Sequence, residues 1–265
     1  MHYVAFSRVT SISGLYIENI NENNISVSKK VSDYLNTSPL HNYLETHIQF
    51  YHENKCNILI NNARSFKKYF HTIKNNRIVL EQNINIFLES KLCKHDKSID
   101  YQINNTIIIR TDQQNTINPH HGIISYINNS ITINRIQNMS TETIDTLYMN
   151  ISHNTKHISI FAVYNTPKNT FTNLLNHLLP KINKEHSINK DIILLGDFNI
   201  QHHSSDYLKL CSNLAKYNIK QYINQYTTIH NTTIDFVFTN MQIDKINILY
   251  AHWSDHNIIQ FQIST

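Results

Sequence analysis

Glycine is almost excluded from this chain: three occur among 265 residues, at positions 14, 122 and 196. A fold made with so few glycines keeps them where a side chain has no room or where the backbone must enter a conformation other residues resist. Gly196 follows the apolar run 192–195 and opens Gly196-Asp197-Phe198-Asn199. A buried strand ending in this way points a carboxylate and a carboxamide into one cleft. Asp197 then suits a general base and Asn199 a hydrogen-bond director. An ordinary strand-to-loop turn could be written with the same four residues, so the tetrapeptide needs company before it means catalysis.

The rest of the apolar pattern sets the frame around that turn. Short apolar or alternating runs predict strands at 56–60, 84–88, 106–110, 122–127, 131–136, 146–151, 157–164, 191–195, 233–238, 243–250 and 257–263. Phe66, Phe70, Ile73 and Leu80 predict a helix. A second is expected over 171–182 with Thr170 as its N-cap, and a third over 207–217. Strands interleaved with helices mean a mixed α/β domain, and periodicity alone does not choose among α/β folds.

Four further features stand on predicted strand ends. Glu89 closes the apolar run 84–88, a lone carboxylate suited to a hard, oxygen-seeking cation. Tyr164 ends a strand just before the turn at Pro167. Asp235 interrupts an apolar run and needs a partner, because an unpaired buried charge is costly. His256 follows Asp255 at the start of the last strand, and a histidine N–H is a natural partner for Asp235. Each has a bland alternative, since a single histidine among 17 is usually structural or exposed.

Taken in order, Asn62, Glu89, Tyr164, Gly196-Asp197-Phe198-Asn199, Asp235 and Ser254-Asp255-His256 resemble the motifs of the endonuclease/exonuclease/phosphatase superfamily. The stretch 62–89 is most similar to the branch found in non-LTR retrotransposons. The resemblance implies a four-layer α/β sandwich, with two packed mixed β-sheets flanked by helices, over residues 55–265. It further implies Mg²⁺ or Mn²⁺ held by Glu89 with Asn62 and Asp255. In the same reading Asp197 activates water, Asn199 orients it, His256 oriented by Asp235 stabilises the phosphoryl oxygens, and Tyr164 positions the phosphate. The chain departs from the pattern at Arg64, at His120-His121 before Gly122, and at His202-His203, and both histidine pairs are expected to be exposed loop residues.

Residues 1–17, with Arg8 and Gly14, resemble motif VI and the closing strand of PIF-type DNA helicases, in which the matching arginine reaches the nucleotide γ-phosphate. No Gly-x-x-x-x-Gly-Lys loop is present to cradle a nucleotide, so Arg8 makes no ATPase alone. The segment reads as a helicase tail followed by a polar linker, 18–54. That pairing resembles Helitron-type mobile elements and points to DNA as the substrate and to a helicase encoded elsewhere as a partner. The formal charge of +4 permits an anionic partner without demanding one.

Cys56, Cys93 and Cys211 lack metal-finger spacing and suit a reducing compartment. With no apolar run near the ~18 residues of a membrane span and no signal-peptide core, the expectation is an intracellular, nuclear protein without a membrane. A phosphatase acting on a small inositol or lipid ester is the alternative enzyme. A decayed element fragment, or an accessory nucleic-acid-binding module, is the non-enzymatic one.

Overall fold

A computed structural model describes residues 54–113, 119–188 and 191–265. The helicase-like segment 1–17 with Arg8 and Gly14, and residues 18–53 of the expected linker, lie outside the described residues.

The strands are β1 (Lys55–Asn62), β2 (Ile84–Leu88), β3 (Thr106–Thr111), β4 (Ile123–Asn128), β5 (Thr132–Asn138), β6 (Ile144–His153), β7 (Lys156–Asn165), β8 (Asp191–Asp197), β9 (Lys220–Gln221), β10 (Asp235–Thr239), β11 (Ile243–Leu249) and β12 (Ile258–Ser264). They form two six-stranded sheets, ordered β11-β12-β1-β2-β4-β3 and β5-β6-β7-β8-β10-β9. β1 pairs parallel to β2, and β7 to β8, while the other pairs are antiparallel. Each parallel pair needs a crossover, and helices at Phe66–Ile73 and Phe171–Ile188 lie in those connections.

The two-residue period of a strand assigns each side chain to a layer. Ile58 and Ile60 of β1 and Ile84, Ile86 and Leu88 of β2 enter the core shared with the second sheet, which supplies Leu147, Ala162 and Leu195. Leu59 and Phe87 point the other way, into an outer cluster with Phe66, Phe70 and Ile73 of the first helix. Phe66 lies 5.0 Å from Phe87 and 5.8 Å from Tyr126, centroid to centroid. On the far side, Leu174, Leu178 and Ile182 line one helical face, joined by Leu210 and Leu214 of the helix Ser205–Ala215. The four-layer sandwich is the architecture the motifs implied.

Local differences from the sequence pattern have local causes. The expected helix through Leu80 is two pieces, Phe66–Ile73 and Arg77–Leu80. Asn76 intervenes, and its side chain accepts from Ile78 N at 2.9 Å to start a new helix. Leu80, which periodicity counted as core, is 51 % exposed. The strand β9 and the 3₁₀ turn Ser98–Tyr101 are too short to leave a periodic signal. The helix beginning at Phe171 runs on to Ile188, and Thr170 Oγ1 accepts from Asn173 N at 3.3 Å, as a cap should. Among the described residues, no helix is long and apolar enough to cross a membrane.

Gly196 and Gly122 occupy the positions their rarity suggested. Gly196 has φ +148°, and a Cβ built there would lie 1.8 Å from the carbonyl oxygen of Val163, its partner on β7. Gly122 has φ +114°, with a built Cβ 2.7 Å from Ser90 Oγ and 3.0 Å from Thr111 O. The first clash is with paired backbone and the second is partly with a side chain that can turn. Gly196→Ala is therefore expected to destabilise the protein by about 3 kcal/mol or more, well beyond Gly122→Ala. Urea midpoints at unchanged slope measure the difference; equal midpoints for the two variants would contradict the steric account.

Candidate active site

Strand register lines up four side chains at one end of the second sheet. Asp145 of β6 pairs with Tyr164 of β7, Tyr164 with Asp197 of β8, and Asp197 with Asp235 of β10. All four are buried. Three carboxylates in one dry row would repel, so each needs a donor. Asn62 and two histidines from the first sheet and its turns supply a partner to each carboxylate.

Asn62, the last residue of β1, makes the central link. Its Nδ2 donates to Glu89 Oε1 at 2.9 Å and to Asp197 Oδ2 at 3.0 Å. Its Oδ1 accepts from Arg64 N at 2.9 Å, which holds the amide in that orientation. Glu89 also interacts with the Tyr164 hydroxyl, and Lys91 Nζ lies 3.6 Å from its Oε2. Two carboxylates converging on one donor is an arrangement that calls for positive charge, and hard oxygen ligands suit a divalent cation. The residues fit such an ion.

Backbone strain is present in the same loops. Arg64, Glu89, Lys91 and Asn199 have φ of 55°, 49°, 53° and 48°. Non-glycine residues in this region cost on the order of 1 kcal/mol each. Three of the four directly follow β1, β2 or β8 within two residues, at strand ends that face the cleft.

His256 closes the row at the β10 end. Its Nδ1 lies 2.9 Å from Asp235 Oδ2 and 3.1 Å from Oδ1, and its Nε2 is 4.0 Å from Asp197 Oδ2. Burial disfavours a charged ring, but the charge and hydrogen bond of Asp235 prevail and lift His256 to about 9. Asp197 is raised well above the usual carboxylate range, by burial first and then by the charge of Asp235. Ligand atoms of Asp197, Asp235 and His256 lie within 4.8 Å of one another and could also hold a metal ion. The direct His256–Asp235 bond already occupies two of those three ligands, which favours the Glu89 side for a cation.

The loop carrying His256 is held by Asn61, which sequence reasoning did not single out. Asn61 Nδ2 donates to His256 O at 2.9 Å and to Asn257 O at 3.2 Å, and its Oδ1 accepts from Trp253 Nε1 at 2.9 Å. Ser254 Oγ donates to Asn62 O at 2.6 Å and accepts from His256 N at 3.1 Å. Neighbouring asparagines on β1 thus serve opposite faces, one holding the last loop and the other the two carboxylates. An asparagine-rich composition hid the first of them.

The other expected residues have these places. Asn199 N donates to Asp197 Oδ1 at 3.0 Å and its Nδ2 to Asn165 O at 2.7 Å, so it braces the aspartate. Tyr164 is buried, and burial together with Glu89 and Asp197 pushes its hydroxyl pKa up. Asp255 turns to the rim, where its Oδ1 is 2.8 Å from Arg64 Nε without the angle of a hydrogen bond. His203 is exposed as expected, whereas His202 is partly covered by Tyr207. His121 corrects the reading of its pair as loop surface. It is 6 % exposed, its Nδ1 lies 2.6 Å from Asp145 Oδ2, and its ring stacks 5.9 Å from Tyr164.

A family model described as endonuclease-reverse transcriptase matches residues 158–260, a stretch that contains Tyr164, Asp197, Asn199, Asp235 and His256. No curated protein sequence matches the chain. Among solved structures, the 3′-5′ exonuclease NExo of Neisseria meningitidis superposes with a TM-score of 0.64 at 14 % identity, over 79 % of this chain and 100 % of that one. The endonuclease domain of TRAS1, a telomere-specific non-LTR retrotransposon, gives 0.60 at 14 % identity over 79 % and 98 %. The human Nocturnin catalytic domain gives 0.63 at 11 % identity over 81 % and 94 %. Identities this low speak for architecture alone, and the architecture is the α/β sandwich of endonuclease/exonuclease/phosphatase proteins.

Proposed function

We propose that this chain is a divalent-cation-dependent phosphodiesterase that cuts DNA as an endonuclease. The observation that carries the reading is the shared amide of Asn62, which gathers Glu89 and Asp197 beside the His256–Asp235 pair. Glu89, with Asn62 next to it, is the residue that would hold Mg²⁺ or Mn²⁺, and the bound ion would neutralise charge on the phosphoryl oxygens. Asp255 joins that set only if Arg64 releases it.

Asp197 is the base. A carboxylate whose affinity for protons is raised by burial accepts one from water more readily than an ordinary aspartate. Asn199 keeps its carboxylate aimed, and Asn62 binds the other oxygen. The Nε2–H of charged His256 stabilises the phosphoryl oxygens as charge builds on them. Asp235 keeps that ring charged and oriented. Tyr164 positions the phosphate between the Glu89 and Asp197 sides.

A DNA substrate is favoured by the resemblance of residues 1–17 to a helicase tail, with a mobile-element helicase as the expected partner. A nuclear location goes with that origin. TRAS1, one of the structures sharing the fold, is by name an endonuclease domain of a retrotransposon.

Purified protein is expected to nick supercoiled plasmid with Mg²⁺ and to stop in EDTA. Asp197→Asn and His256→Asn should each lower the rate by about 10²-fold or more, with circular dichroism unchanged. Plasmid that stays intact under all metal conditions, alongside hydrolysis of a small phosphomonoester, would replace this proposal with the phosphatase one.

The rate should form a bell with pH. His256 is raised, so its charge is complete at neutral pH and is lost as pH climbs through about 9. Asp197 is also raised, so the acidic limb should lie above the ordinary carboxylate range. Asp235→Asn removes the charge and hydrogen bond that chiefly oppose burial and leaves only the weaker pull of Asp197 and Asp255, so the His256 ring should then titrate well below 9. Imidazole NMR in EDTA reads that shift directly; a ring that still titrates near 9 in the variant would remove Asp235 from its role.

A further inference from the structure

The row of Asp145, Tyr164, Asp197 and Asp235 carries a histidine at each end, and only one belongs to the mechanism above. Asp235 holds His256, and Asp145 holds His121. Both histidines come from turns that enter strands of the first sheet, β12 and β4. Asp145 Oδ2 also accepts from Gly122 N at 2.7 Å, so His121 Nδ1–H is fixed as a donor and Nε2 faces away from the pair. Among the described residues nothing hydrogen-bonds to Nε2, although the side chain is only 7 % exposed. The ring lines a cavity of about 470 Å³ on the far side of Tyr164 from Asp197 in the strand register.

On the other walls of this cavity each side-chain oxygen already accepts one backbone N–H. Gln113 Oε1 accepts from His120 N, and Asn138 Oδ1 from Ser140 N. Ser140 Oγ accepts from Thr146 N, and Thr141 Oγ1 from Ile144 N. What remains toward the cavity is donors, two amide NH₂ groups and two hydroxyls, together with His121 Nε2, an acceptor because the ring proton sits on Nδ1. Two other carboxylates border them. Asp112 is neutralised by Arg110, while Glu142 has no partner among the described residues. A phosphate would satisfy the donors but would set a second negative charge beside Glu142. A nucleobase edge offers several acceptors together with an N–H for the carboxylate, and the volume suits a small ligand.

We infer that this cavity is a subsite for an unpaired nucleobase, that of a nucleotide flanking the scissile phosphate, with His121 and Glu142 as specificity-determining residues. The inference rests on the nuclease reading and adds its substrate class: a strand with an unpaired base next to the cut, since a base within a duplex has its pairing edge occupied. His121 also buttresses the Glu89 loop, because Ser90 N and Lys91 N donate to Gly122 O and His121 O. A test must therefore measure discrimination between substrates and not rate alone.

Single-stranded oligonucleotides that differ at one flanking position, a natural base against an apolar analogue of the same shape, provide it. Wild-type protein is expected to show a KM about tenfold lower for the natural base at a kcat within about twofold. Glu142→Ala and Asn138→Ala, both at exposed positions, should keep the kcat and erase that difference. In parallel, a trinucleotide with natural bases should shift the His121 imidazole NMR signals in wild-type protein, and the analogue should not. Equal KM for the two substrates, or discrimination that survives Glu142→Ala, overturns the subsite. If single strands stay intact while supercoiled plasmid is nicked, the subsite is overturned and the nuclease reading stands. If neither is cut, the nuclease proposal has failed, and the NMR titration still decides the subsite: His121 signals that stay fixed reject it.

Discussion

The amide of Asn62 is the interaction on which the rest of the site depends. It stands at the end of β1 in one sheet and binds Asp197 of β8 in the other, while also holding Glu89 from the loop after β2. Two packed sheets can slide by a fraction of an ångström at little cost to their apolar core, because burial has no direction. Hydrogen bonds to buried charges do have direction, and losing one leaves an unsatisfied carboxylate. The polar row at the cleft therefore sets the register that the hydrophobic interior alone leaves loose.

This arrangement places opposing electrostatic demands side by side. Burial raises Asp197 while the same burial disfavours the charged form of His256, and Asp235 drives both upward through its negative charge. The result is a carboxylate that takes protons readily next to an imidazolium that keeps its own. Strained backbone at Arg64, Glu89, Lys91 and Asn199 accompanies it, as expected where loops are bent to deliver side chains and not to relax. The core on both sides of the sheets supplies the rigidity that tolerates this strain.

Much of this was legible from the residues in order. Gly196, Asp197 and Asn199 announced a strand end that carries polar side chains, and Glu89, Tyr164, Asp235 and His256 all lie at the same cleft. The readable signal was the break in an apolar run, which a buried strand tolerates only where a polar group has a partner. Asn61 and Asp145 carried no such signal, one hidden among many asparagines and the other at the head of an apolar strand. His121 was misread because a histidine pair in a polar stretch has the same pattern whether it faces water or a buried carboxylate. Asp255 shows the reverse case: the motif put it beside His256, but a salt bridge to Arg64 turns it toward the rim.

By itself, the sequence determined the kind of fold and the group of side chains able to do chemistry, because strand period, glycine placement and interrupted apolar runs are local properties of the chain. Tertiary structure alone decided who partners whom. The contacts Asn62–Asp197, His256–Asp235 and His121–Asp145 join residues 135, 21 and 24 positions apart. Such pairings follow from strand order and sheet packing, which bring distant carboxylates into one row, and no local pattern in the chain encodes that distance.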